Sequence, residues 1–149
     1  MVEAGIPVCA HLGLTPQHIN AFGGFKVQAK TEIAAKQLLE DAKAVQEAGA
    51  FAVVLEAIPA KLAQLVTKQL NIPTIGIGAG NQTDGQVLVY ADLLGLFSDF
   101  TPKFVKRYAN IGELISDAVK SYIEDVANQK FPTPDNEYHI DDSIIEKLY

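Results

Sequence analysis

The run Ala50-Phe-Ala-Val-Val-Leu-Glu56 is apolar until its last residue, and Pro59 breaks the chain shortly after. Continuous apolarity, without polar alternation, predicts a strand covered on both faces, as in a parallel sheet. A carboxylate at the C-terminal tip of such a strand is costly to keep unless it is used. In βα barrels and doubly wound folds that tip is where ligands bind. Glu56 is therefore a candidate catalytic acid or base. The competing reading is a carboxylate that caps a helix or pairs with a lysine.

The same grammar recurs along the chain. Glu3-Ala-Gly5 is echoed by Glu47-Ala-Gly49, and Ile6-Pro7-Val8 by Ile72-Pro73-Thr74, each before a strand-like run. Helix end, short turn and buried strand in alternation predict a parallel sheet. The expected strands are Pro7 to His11, Phe51 to Glu56 and Thr74 to Ile77, with a shorter segment from Gln86 to Tyr90. Helices are expected from Pro16 to Phe22 and from a Thr31 cap to Ala48, the latter with Ile33, Leu38, Leu39, Ala42 and Val45 facing inward. Further helices are expected from Ala60 to Leu70 and from Ile111 to Asn128, with a short one beginning near Phe104. The opening residues read as the end of a helix, so the chain is expected to begin within a fold. A complete eight-stranded barrel needs about 250 residues. The 149 residues here fit roughly four βα units over residues 1–131, followed by an extension over 132–149.

Composition narrows the function. A formal net charge of −6 argues against nonspecific nucleic-acid binding, which requires a basic face, and more weakly against anionic membranes. Cys9 is the single cysteine, which excludes an intrachain disulfide, and it is expected as a small buried strand residue. No apolar run approaches the ~20 residues of a membrane span, and no secretory signal opens the chain. A cytoplasmic protein is the expectation.

Three strand tips carry signals: Cys9-Ala-His11-Leu-Gly13, Leu55-Glu56-Ala57 and Gly76-Ile-Gly78-Ala-Gly80. If the strands are parallel neighbours, these converge on one rim. Glu56 then suits a general base for a weakly acidic C–H proton. His11 suits a hydrogen-bond donor to a substrate oxygen. His18 and His139 read as solvated. The glycine segment lacks dinucleotide-fingerprint spacing and reads as a place of close backbone approach. Asp84 reads as a turn cap or, failing that, a binding residue, and Lys103, Lys106 and Arg107 meet an anion, lie in solvent or meet another subunit. No acidic or His/Cys cluster has metal-ligand spacing.

In order along the chain, His11-Leu-Gly-Leu-Thr-Pro-Gln17, Gly23-Gly-Phe-Lys-Val-Gln28, Val54-Leu-Glu-Ala-Ile-Pro59, Ile75-Gly-Ile-Gly-Ala-Gly80 and Asp84-Gly-Gln-Val-Leu-Val89 resemble the ketopantoate hydroxymethyltransferase family. Asp92-Leu-Leu-Gly95 and Pro102-Lys-Phe-Val-Lys-Arg-Tyr108 continue the match. The resemblance implies the C-terminal half of a (βα)8 TIM barrel of the pyruvate/phosphoenolpyruvate type. It implies hydroxymethyl transfer from methylene-tetrahydrofolate to α-ketoisovalerate, giving ketopantoate in pantothenate biosynthesis. It makes Glu56 the catalytic base and places His11 in the substrate pocket. It further implies Mg²⁺, with the family's metal ligands in an N-terminal half absent from this chain, and a homo-oligomer that is often decameric. The sequence departs from the family at Phe25, where tyrosine is usual, at Ala29-Lys30, where Gly-Arg is common, and at Ala91, where histidine is frequent. The competing functional readings are a noncatalytic fragment acting only in oligomerisation, and another carbon–carbon bond enzyme of the same barrel superfamily.

Overall fold

The computed structural model describes residues 1–18, 26–97 and 100–148. Four strands form one parallel sheet in sequence order: β1 (Cys9–Gly13), β2 (Ala52–Glu56), β3 (Thr74–Ile77) and β4 (Gly85–Gln86). Between them run α1 (Glu32–Glu47) and α2 (Ala60–Gln69); α3 (Tyr90–Leu93) and α4 (Ile111–Ala127) follow the sheet. A short α5 (Asp142–Ile145) lies in the tail, where every described residue from Phe131 onward is exposed.

The helices begin and end where local chemistry directs. Thr31 caps α1, its hydroxyl accepting from the Ala34 N–H at 3.2 Å. Pro59 stands immediately before α2, where a missing N–H costs nothing. The Leu70 N–H closes α2 on the Val66 carbonyl. Gly5 ends the opening turn with φ 75, the left-handed stop that the Glu-Ala-Gly motif predicts.

One face of the sheet is the core. Val53 and Leu55 point into it and are wholly buried against Leu38 and Ala42 of α1 and Ala63 and Val66 of α2. Residues paired across parallel strands share a face, and successive residues alternate between the two. The register His11↔Val54↔Ile75 and Gly13↔Glu56↔Ile77 therefore lies on the opposite face, away from α1 and α2.

Several expectations change. β1 runs from Cys9 to Gly13, later than expected, because its pairing with β2 extends to the Gly13↔Glu56 rung. Cys9 is exposed: it begins an edge strand on the face that the helices leave uncovered. Ile33 is 84% exposed because it sits roughly 140° around α1 from Leu38, which is buried. The segment from Gln86 to Tyr90 pairs only at its start, and Tyr90 already belongs to α3. No helix forms around Phe104 to Arg107. Of the helix expected from Pro16 to Phe22, Pro16–His18 is a 3₁₀ turn and the remainder lies outside the described residues. In α4 the apolar positions Ile115, Val119, Ile123 and Val126 do share one side, yet none of its residues is buried.

Deleting a wholly buried side chain should cost far more than deleting an exposed one of the same class. Leu55→Ala is expected to destabilise the chain by about 3 kcal/mol, against less than ~0.5 kcal/mol for Ile33→Ala. Urea titrations of the two variants measure the difference, and equal losses would contradict the assigned core face.

Candidate active site

Backbone pairing sets the rim. At the Gly13↔Glu56 rung β1 ends, and the Leu14 N–H crosses to the Glu56 carbonyl at 2.9 Å. On the other side the Ala57 N–H donates to the Ile77 carbonyl at 2.8 Å. Gly13, at φ 90, is required: a methyl there would strike the Glu56 carbonyl oxygen. Ala57 is held at φ 50, a left-handed conformation that a non-glycine residue adopts at some cost, and its carbonyl accepts from the Gln28 N–H at 2.8 Å. The tip of β2 is thus clamped by both neighbouring strands and by the segment at Gln28. Ala29 also lies at φ 52, which accounts for the glycine common at that place in the resembling family.

His11 and Glu56 meet on the open face. The imidazole Nε2 lies 3.0 Å from the carboxylate Oε2, with the Glu56 side chain 14% and the His11 side chain 33% exposed. The distance is that of an ion pair, yet His11 Nε2, a buried atom, completes no hydrogen bond of good geometry. A carboxylate with little water around it and an imperfectly satisfied imidazole nitrogen at its side form a pair able to take a proton and to hold an oxygen. The sequence-predicted convergence of His11, Glu56 and the glycine segment is what the register produces. His139 is exposed, as expected, and the His18 side chain lies outside the described residues.

The third tip is pinned from below. The Asp84 carboxylate accepts from the Thr74 N–H at 2.8 Å and from the Thr74 hydroxyl at 3.0 Å, and the Asp84 N–H returns a bond to that hydroxyl at 3.2 Å. The Thr67 hydroxyl stands 2.8 Å from that of Thr74, the one fully buried polar residue among those described. Asp84 is therefore the turn cap expected of it. Gln86 then ties the glycine segment down, its Nε2 donating to the Gly80 carbonyl at 2.8 Å and to Thr83 Oγ1 at 2.7 Å. Sequence reasoning passed over Thr74 and Gln86. The signal for Thr74 was a lone hydroxyl opening an otherwise apolar strand.

A magnesium ion prefers several oxygen ligands in near-octahedral array. Among the described residues no group of three or more His, Cys, Asp or Glu side chains stands close enough to hold a metal, and the rim has one carboxylate, already beside His11. The described residues do not by themselves fit that ion.

The Thr74 backbone N–H, and next its hydroxyl, hold the Asp84 carboxyl below the ordinary aspartate value. A depressed folded-state value adds stability above the unfolded value of about 3.9, and that stability is lost as pH falls through the lower folded value. Acid unfolding of the parent chain should therefore steepen below about pH 4, and Asp84→Asn should remove part of that dependence. Because Asp84 is exposed, the effect is expected to be small. Matching stability–pH curves for parent and variant would contradict it.

A sequence profile described as ketopantoate hydroxymethyltransferase matches residues 1–134. Over all 149 residues the chain is 60% identical to proteins named 3-methyl-2-oxobutanoate hydroxymethyltransferase from Clostridium novyi and Enterococcus faecalis, and 56% identical to one from Clostridioides difficile. It spans about half of each relative's length, 54%.

Proposed function

The chain belongs to the ketopantoate hydroxymethyltransferase family, and from that premise we propose that it carries the base of an enzyme moving a hydroxymethyl unit from methylene-tetrahydrofolate to α-ketoisovalerate. The product is ketopantoate, within pantothenate biosynthesis. The observation that carries this reading is the His11–Glu56 pair, 3.0 Å apart at the rim and on the face that α1 and α2 leave open.

The roles follow from what each group can do. Glu56 takes the proton from C3 of the oxo acid, because its carboxylate is fixed by the clamped tip of β2 and has few waters competing for it. His11 donates from Nε2 to an oxygen of the oxo acid, completing the hydrogen bond that this nitrogen otherwise lacks. It thereby holds C3 against the carboxylate. The enolate so formed attacks the donor's methylene carbon, whose carbon–nitrogen bonds to the folate break as water supplies the hydroxyl and tetrahydrofolate leaves. Part of the site lies beyond these residues: the resemblance puts the ligands of a Mg²⁺ ion in the N-terminal half. Completed in that way, the protein acts on a small oxo acid and a folate as a cytoplasmic homo-oligomer.

The test pairs this chain with the portion of the Clostridium novyi relative that it does not span, produced together. In the completed protein, proton NMR in deuterium oxide should show exchange at C3 of α-ketoisovalerate. Glu56→Gln should slow that exchange by about 10²-fold or more while oxo-acid affinity stays within a few-fold. His11→Ala should raise KM more than it lowers exchange at saturation. Undiminished exchange in Glu56→Gln would remove the carboxylate from the mechanism.

A further inference from the structure

We propose that Gln86 is a positioning residue for the candidate base: its side-chain amide holds the glycine segment, and through that segment the left-handed turn at Ala57 that aims Glu56. The chain of contacts is structural; what the aim serves rests on the transferase reading.

The His11–Glu56 pair leaves the motif Asp84-Gly-Gln-Val-Leu-Val89 without a role beyond the Asp84 cap. Within it β4 is only two residues long, so its ladder holds little. What β4 delivers is a side chain. Gln86 pairs with Gly76, and the Val87 N–H donates to the Gly76 carbonyl, which fixes the Gln86 backbone against β3. A Cβ on Gly76 would come within 2.6 Å of Thr83 Oγ1 and 3.0 Å of Gln86 Nε2, so both polar groups lie directly over that glycine. From there Gln86 Nε2 donates to the Gly80 carbonyl at 2.8 Å and to Thr83 Oγ1 at 2.7 Å. The Thr83 hydroxyl in turn donates to the Gly85 carbonyl at 2.9 Å.

Residues 78–84 carry the chain from the end of β3 back to the start of β4 without forming a helix or strand. Gly78 and Gly80 lie at φ 64 and φ 79, and glycine by itself holds no single conformation. Order in this segment therefore comes from its contacts. The Phe104 ring lies against Gly78, Ala60 lies against Gly80, and the Gln86 amide is bonded to the Gly80 carbonyl. Of these three, the amide bond is the one that fixes a direction.

The segment begins at the peptide on which the base depends. The Ile77 carbonyl, joined to the Gly78 nitrogen, accepts from the Ala57 N–H at 2.8 Å. Turning that peptide swings the acceptor away. Ala57 directly follows Glu56 and is held at φ 50, a conformation it keeps only while its partners impose it. Without the Ile77 acceptor Ala57 relaxes toward a commoner conformation, and the Glu56 carboxylate shifts relative to His11. A displacement of about 1 Å at a reacting group costs on the order of 10²-fold in rate. Gln86 itself is exposed, so losing its bonds costs the fold little.

The test compares Gln86→Met, which keeps the length of the side chain and removes its donors, with Gln86→Lys, which restores a donor. In the 149-residue chain, amide hydrogen exchange followed by NMR should speed about 10-fold or more at Ala57 in Gln86→Met. Val53, whose N–H donates to the Pro73 carbonyl at the other end of β2, should keep its protection. In the completed protein, Gln86→Met should slow deuterium exchange at C3 of saturating α-ketoisovalerate about 10-fold, with KM within about two-fold. Gln86→Lys should restore most of the rate and the protection at Ala57. The amide measurement does not involve the oxo acid, so a failed base assignment leaves it standing and is distinguishable from a failed role for Gln86. Unaltered protection at Ala57, an equal loss at Ala57 and Val53, unslowed C3 exchange in Gln86→Met, or no recovery in Gln86→Lys would each overturn the proposal.

Discussion

Parallel pairing of β1, β2 and β3 brings Gly13, Glu56 and Ile77 onto one rung, and the site exists only because that rung holds. The Leu14 and Ala57 N–H groups lock the tip of β2 to both neighbours, leaving the Glu56 carboxylate little freedom of direction. A slip of one residue would turn every side chain of a strand to the opposite face. His11 and Glu56 would then face the helices, and Val53 and Leu55 would face solvent. Burial of those two side chains against α1 and α2 is what forbids the slip.

The two faces divide the work of the sheet. The helix-covered face is conventional: apolar, closely packed, with one buried polar residue among those described, Thr74, whose hydrogen bonds to Asp84 fix the start of β4 beside the start of β3. The open face carries Cys9, His11, Val54, Glu56 and Ile75, a mixture that makes a poor core but a usable site. The strained φ of Ala57 is kept because three strands and the Gln28 segment over-determine it. Rigidity of the tip and reactivity of the side chain thus have one cause.

Beyond β3 the structure becomes local. β4 is two residues long, α3 four, and their positions depend on particular contacts: Asp84 to Thr74, Gln86 to Gly80, and the Phe104 ring on Gly78. α4 keeps an apolar side that touches none of the core. No helix among those described is long and apolar enough to cross a membrane.

Apolar run length, caps and breakers are properties of neighbouring residues, so the sequence by itself determined the alternation of strands and helices, the Thr31 cap, the Gly5 stop and the location of Glu56 at a strand tip. The ordered motifs were enough to indicate the family before any coordinates. Exposure is a property of what lies across the sheet or around the helix. Only the tertiary structure decided that Cys9 and Ile33 face solvent, that β1 is shifted toward Gly13, and that the Gln86 segment barely pairs. The 3.0 Å approach of His11 to Glu56 is of the same kind, since the two residues are far apart in the chain and meet only through strand register.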